Sequence, residues 1–151
     1  MKYCGSLSAP IQGSMIYFIF ACNLLYIGET QNHPVQRWNA HLFTDNGFLR
    51  MVKECGDPEI DYLSNIKLFA YYCHSIIENF PEIEWKTATQ AVEHEIHCCV
   101  LQYPSKLRRL FTLISDTERT APRRFKHWDF ARKIAMDILD DLSKAMLELG
   151  Y

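Results

Sequence analysis

A chain of 151 residues is long enough for one domain with a real hydrophobic core and short for two. Its 48% hydrophobic and 23% charged content is that of a soluble globular protein and excludes a disordered one, while a net charge of −2 excludes a surface that attracts polyanions everywhere. Residues 1–7 lack the apolar core of a secretory signal, and the most apolar run, Met15 to Ala21, is too short to span a bilayer. The expected location is therefore cytoplasmic, with no membrane partner. Six cysteines, at positions 4, 22, 55, 73, 98 and 99, form no CxxC pair and read as reduced thiols packed as small hydrophobes.

Residues 1–14, with Gly5, Pro10 and Gly13, read as an extended N-terminal arm. Met15 to Ala21 and Leu24 to Ile27 are β-branched and aromatic runs separated by Cys22-Asn23. That is the pattern of a tight hairpin, with Asn23 expected to carry the left-handed backbone angle. Gly28 ends the second strand where the backbone turns sharply or is closely approached. Pro34 suits the first turn of a helix whose buried stripe would be Val35, Trp38 and Leu42. Arg37 and His41, four residues apart, are neighbours on an adjacent face, and Asp45-Asn46-Gly47 stops the helix. A helical turn over Phe48 to Val52 follows, and then an apolar strand from Ile66 to Cys73 covered on both faces. Phe80 to Trp85 reads as a connection. The capping box Thr87-Ala88-Thr89-Gln90 then opens a helix through Val92, Ile96 and Cys99 that stops at Pro104. Beyond it lies a basic stretch, and the chain closes on an amphipathic helix from Trp128 to Leu149 with an acidic outer face.

Four elements of this order resemble the GIY-YIG nuclease signature. Met15-Ile16-Tyr17 and Tyr26-Ile27-Gly28 are similar to the two strand motifs, and Arg37-Trp38-Asn39-Ala40-His41 to the R-x-x-x-H helix. Ala91-Val92-Glu93-His94-Glu95, followed by apolar residues and Pro104, resembles the later acidic helix with Glu95 in the acidic position. The resemblance implies an α/β fold: a small three-stranded, mainly antiparallel sheet flanked by helices, with a nuclease core at 15–104. Residues 105–151 then form a basic segment and a C-terminal helix packed on the same domain. It implies a divalent-metal-dependent endonuclease that hydrolyses DNA phosphodiester bonds, with RNA open to the same chemistry. Tyr17, Tyr26, Arg37, His41 and Glu95 are its expected catalytic residues. Three departures stand out: Met15 replaces the usual Gly, Glu29 adds a negative charge after the second motif, and no Asn follows the acidic helix near Ser105-Lys106-Leu107.

The chemistry asks for the same residue types. Water attack on a phosphodiester needs charge neutralisation at the phosphate and help for the leaving oxygen. Glu95 would hold Mg²⁺ (or Mn²⁺), water and phosphate oxygens completing its shell. Arg37 would meet the equatorial oxygens with its planar fork. The resemblance assigns Tyr17 to water activation, which a phenol of pKa about 10 performs only beside cations. Tyr26 and His41 would position water and phosphate or relay protons. Glu95 falls beside the apolar stripe and should point inward toward a partner, whereas Glu93, about 200° away round the helix, is expected to face solvent.

His94, His97 and Cys98 lack a fourth ligand for zinc and read as ordinary helix residues. Lys106, Arg108, Arg109, Arg123, Arg124 and Lys126 are candidate phosphate contacts, and equally a solvated counterweight to the acidic last helix. The apolar stripe of that helix would cover the domain or form a homo-oligomer seam. The alternatives to an enzyme are a nucleic-acid-binding module of the same fold that no longer cuts, and a partner-binding protein using the last helix.

Overall fold

The computed structural model describes residues 2–4, 12–44, 47–116 and 120–150. Ten elements and one 3-10 turn follow in chain order. Strands β1 (Lys2–Cys4), β2 (Gln12–Ala21) and β3 (Leu24–Asn32) precede helices α1 (Pro34–Phe43) and α2 (Phe48–Cys55). Strand β4 (Ile66–Tyr72), helix α3 (His74–Asn79) and helix α4 (Glu82–Gln102) come next, then the 3-10 turn Pro104–Leu107. Strand β5 (Thr112–Leu113) and helix α5 (Trp128–Glu148) complete the chain.

The β2–β3 hairpin forms as its apolar runs require, with Ala21 paired to Leu24 across a two-residue turn. The left-handed angle falls on Cys22 (φ 55°) rather than Asn23. Strand β4 pairs antiparallel with the other side of β2, so β4-β2-β3 is the expected antiparallel core. The sheet is larger than three strands, however. The short β1 and β5 add in parallel at its two edges, giving a mixed sheet of order β1-β4-β2-β3-β5. Part of the expected N-terminal arm is therefore sheet, while residues 5–11 of that arm lie outside the described residues. Edges as short as three and two residues carry almost no hydrophobic signature of their own, and neighbouring strands supply their hydrogen bonds.

Side chains alternate between faces along β2, and a separate core covers each face. Ile16, Phe18 and Phe20 join Phe69, Leu25 and Ile27 under α4 and α5. Tyr17, Ile19 and Ala21 turn the other way, with Leu24, Leu68, Trp38 and Phe48, under α1 and α2. The central strand is thus apolar from Met15 to Ala21 because both faces are covered there.

Helix α1 buries Pro34, Trp38 and His41, whereas Val35, expected in the stripe, is 46% exposed. A polar residue therefore occupies the inward position, which an apolar-stripe reading discards. The stop at Asp45-Asn46 lies outside the described residues, but Gly47 holds a positive φ of 57° before α2. Helix α4 begins at Glu82, five residues before the capping box. Pro81 stands at its N-cap in extended geometry, and Glu82 and Glu84 place negative charge where the helix dipole favours it. Thr89 lies mid-helix, its hydroxyl donating to the Trp85 carbonyl at 2.5 Å. The apolar stripe of α5 (Ala131, Ala135, Ile138, Leu139, Leu142, Met146) packs within the chain, in the same core as α4. No helix among the described residues is long and apolar enough to cross a membrane.

Candidate active site

The β2–β3 register sets Tyr17 opposite Gly28. With no side chain at 28, the Tyr17 ring lies across the β3 backbone. A Cβ at that glycine would stand 2.3 Å from the phenol oxygen. β5 pairs only with Leu24 and Leu25, so the far half of β3 has no strand on its outer side among the described residues. The Tyr17 ring is itself 3% exposed, so it lies inside the layer under α1 and α2 against the half of β3 that lacks an outer strand.

His41 reaches this phenol from α1, its Nε2 2.8 Å from Tyr17 Oη. The Phe48 backbone N–H donates to His41 Nδ1 at 3.1 Å. A backbone amide only donates, so Nδ1 is bare, the ring proton sits on Nε2, and His41 donates to the Tyr17 oxygen. Burial, and after it the Arg37 charge, push His41 down to about 4, which keeps this tautomer neutral at pH 7. Gly47 permits the arrangement twice over: its φ is left-handed, and a Cβ there would come within 2.3 Å of Nδ1.

Tyr26 stacks on Tyr17 with ring centres 6.4 Å apart and tilts against His41 at 4.8 Å. Arg37 lies one turn before His41 and is exposed, and its positive charge acts on both phenols. Burial raises the Tyr17 phenol well above its ordinary range; the nearby Tyr26, Glu93 and Glu29 add to this and Arg37 opposes it. Burial raises Tyr26 as well, with Glu93 adding to it. Tyr17, Tyr26, Arg37 and His41 therefore come together, as the sequence led one to expect.

The carboxylate that joins them is Glu93, not Glu95. Glu93 is only 8% exposed, and among the described residues no hydrogen bond or ion pair reaches its carboxylate. Burial pushes it up to about 8, the Glu29 charge adds to the rise, and Arg37 opposes it. Glu95 is turned to the flank of α4 that meets α5. There Arg132 Nε donates to its Oε2 at 3.0 Å. Glu95, expected beside the phenols, is thus held by Arg132 on the α5 side, and Glu93, expected to face solvent, is buried and acts electrostatically on Tyr17 and Tyr26.

The reason is that α4 is covered nearly all round, with Ala91, Val92, Glu93, Glu95, Ile96, His97 and Cys99 all buried. An all-round helix has no outward face from which to judge its carboxylates. A usable signal was present in the polar row Thr89, Glu93 and His97, repeating every four residues on one side of the helix. Its members line the β3 margin. Gln31 Nε2 donates to Thr89 Oγ1 at 3.2 Å, and His97 Nε2 lies 2.8 Å from Ser115 Oγ, which also accepts from the Ile27 backbone N–H. Burial, followed by the neighbouring His94, pushes His97 down to about 4. His94 itself bonds to Thr120 and lies 3.5 Å from Cys98.

Glu29 is the other residue gathered here, and Arg50 contributes a second positive charge that lowers Tyr26. The residues able to hold a divalent cation are Glu93 and Glu29. Among the described residues no cluster of three His, Cys, Asp or Glu side chains is positioned around a metal.

The basic candidates divide into two groups. Lys106 donates to Asp140 at 2.5 Å and Arg108 to Ser143 at 3.1 Å, so both tie the 3-10 turn to the polar face of α5. Arg109 lies over the Phe111 ring at 5.8 Å. Arg123, Arg124 and Lys126 are exposed at the other end of α5. The helical rise separates Asp140 from Trp128 by roughly 18 Å, so the six residues do not form one continuous basic strip along α5. Arg124 and Lys126 line a cavity of about 380 Å³ with Glu84, Thr87, Phe125 and His127.

No protein-family model, no curated protein and no solved structure matches this chain.

Proposed function

We propose that the protein is a divalent-metal-dependent endonuclease that hydrolyses DNA phosphodiester bonds, with its reacting centre at the open margin of β3. The observation that carries this reading is the unpaired, buried Glu93 carboxylate beside two phenols, a neutral histidine and an exposed arginine. A lone carboxylate in such surroundings holds a proton or a cation, because an uncompensated buried charge costs several kcal/mol. Its raised affinity for a proton is the same physical demand that a cation would meet.

Each residue has a distinct task. Arg37 is free to swing its guanidinium onto the phosphate, where a planar two-pronged donor meets two oxygens at once. His41 donates to Tyr17 Oη, which favours a phenolate over a phenol. Tyr26, stacked on Tyr17, fixes the ring and presents its own hydroxyl to the same space. Glu93 would hold Mg²⁺ or Mn²⁺, and a bound cation would supply Lewis acidity at a phosphate oxygen. Burial is the main cause of the raised Tyr17 phenol, and a cation on the carboxylates would offset the smaller contributions of Glu93 and Glu29. Exposed Arg124 and Lys126 are the best-placed candidates for holding the DNA backbone away from this centre.

The test is nicking of supercoiled plasmid with Mg²⁺ and with chelator by wild type, Glu93→Gln and Glu95→Gln. Mg²⁺-dependent nicking that survives in Glu95→Gln and disappears in Glu93→Gln is expected. Nicking by Glu93→Gln at the wild-type rate, or plasmid shifted but never cut by the wild type, would overturn the enzymatic reading. The second outcome is what a binding module of the same fold would give.

A further inference from the structure

Glu29 lies directly after the glycine on which Tyr17 rests, at a position only half-buried. Its placement is nevertheless fixed. Gln31, two residues along the same face of β3, donates to Glu29 Oε2 at 3.3 Å and to Thr89 Oγ1 at 3.2 Å. Thr89 is itself anchored, 2.8 Å from the Ser14 hydroxyl of β2 and bonded back to the Trp85 carbonyl. Thr89 and Glu93 are one turn apart on the same side of α4. The Gln31 bridge thus ties the Glu29 carboxylate to the helix face that carries Glu93. Among the described residues, the second Glu29 oxygen receives no hydrogen bond, and Glu93 receives none at all.

We propose that Glu29 and Glu93 together form a two-carboxylate site for one divalent cation, with Gln31 and Thr89 as the residues that orient Glu29. This rests on the metal-dependent reading above and extends it by a ligand. The half-buried Glu29 adds its negative charge to that of the buried Glu93, and a cation held by both carboxylates relieves that repulsion. Arg37 offsets only part of the charge at Glu93, since it is exposed and bonded to neither carboxylate among the described residues. A hard oxygen pair with room for water suits Mg²⁺ or Mn²⁺ rather than zinc, which takes nitrogen and sulfur ligands. The free oxygen of Glu29 and the unbonded carboxylate of Glu93 are the donors. Gln31 Nε2 holds the remaining Glu29 oxygen, so the ligand is directed before the cation arrives.

Calorimetric titration of Mn²⁺ into wild type, Glu29→Gln, Glu93→Gln and Gln31→Ala tests this directly, without DNA present. Thermal melts in chelator confirm that each variant is folded. Wild type is expected to bind one Mn²⁺. Glu29→Gln and Glu93→Gln should each weaken binding at least tenfold, and Gln31→Ala less than either. Glu29→Gln binding Mn²⁺ within twofold of wild type overturns the two-carboxylate site while leaving a Glu93 metal site and the nuclease reading intact. Wild type that binds no Mn²⁺ overturns both. Wild type that binds Mn²⁺ through both carboxylates and cuts nothing removes the nuclease reading and keeps the site.

Discussion

Replacing Glu93 by Gln should stabilise the metal-free protein, and by an amount that depends on pH. Burial raises the Glu93 carboxyl from 4.5 to about 8. Between those values the folded state holds a proton that the unfolded state has released, so stability falls as pH rises through this window. At 1.36 kcal/mol per unit, the loss is roughly 1 kcal/mol at pH 5 and on the order of 4 kcal/mol by pH 8. Gln has the shape of the protonated acid and cannot ionise, so the variant escapes this loss. In chelator, its melting temperature should exceed that of wild type slightly at pH 5. For a chain of this size the excess should reach roughly 8–16 °C at pH 8. Saturating Mn²⁺ should shrink the gap at pH 8 by stabilising only the wild type. Thermal unfolding of both proteins at pH 5, 6, 7 and 8 measures it. A melting difference that stays constant across that range would show that Glu93 bears no buried charge, and would remove the physical basis for a cation beside it.

Gly28→Ala should push the Tyr17 ring off β3 and break its bond to His41, because the added carbon would stand 2.3 Å from the phenol oxygen. Overpacking of this kind costs about 1–3 kcal/mol, readable as a lower urea midpoint, and plasmid nicking should fall with it. Unchanged stability and unchanged nicking would mean that the close approach has no consequence. On the acid side, His41 and His97 are both pushed down to about 4 from 6.5. The unfolded chain therefore takes up protons that the folded chain refuses, and their contribution to stability is lost as pH falls from 6.5 toward 4. Set against Glu93, whose slope is opposite, this gives the metal-free wild type a stability maximum at about pH 6.5, moving upward in Glu93→Gln. Urea midpoints across pH 4 to 8 that rise steadily in both proteins would contradict it.

The local part of this site is legible in the sequence. The two apolar runs round Cys22-Asn23 can pair in only one way that keeps their faces, and that register alone sets Tyr17 against Gly28. The spacing of Arg37 and His41 on α1 likewise follows from helical geometry. The tertiary structure decided what lies far apart in the chain. Short β1 and β5 have no hydrophobic pattern to betray them, and only the edges of the longer strands make them part of the sheet. The choice between Glu93 and Glu95 was decided by packing. Their sequence neighbourhoods are nearly the same, but α5 and Arg132 cover one flank of α4, and the open margin of β3 receives the other. A helix buried on all sides carries no record in its own sequence of what covers each side. That information belongs to the contacts, and with it the identity of the carboxylate that faces Tyr17.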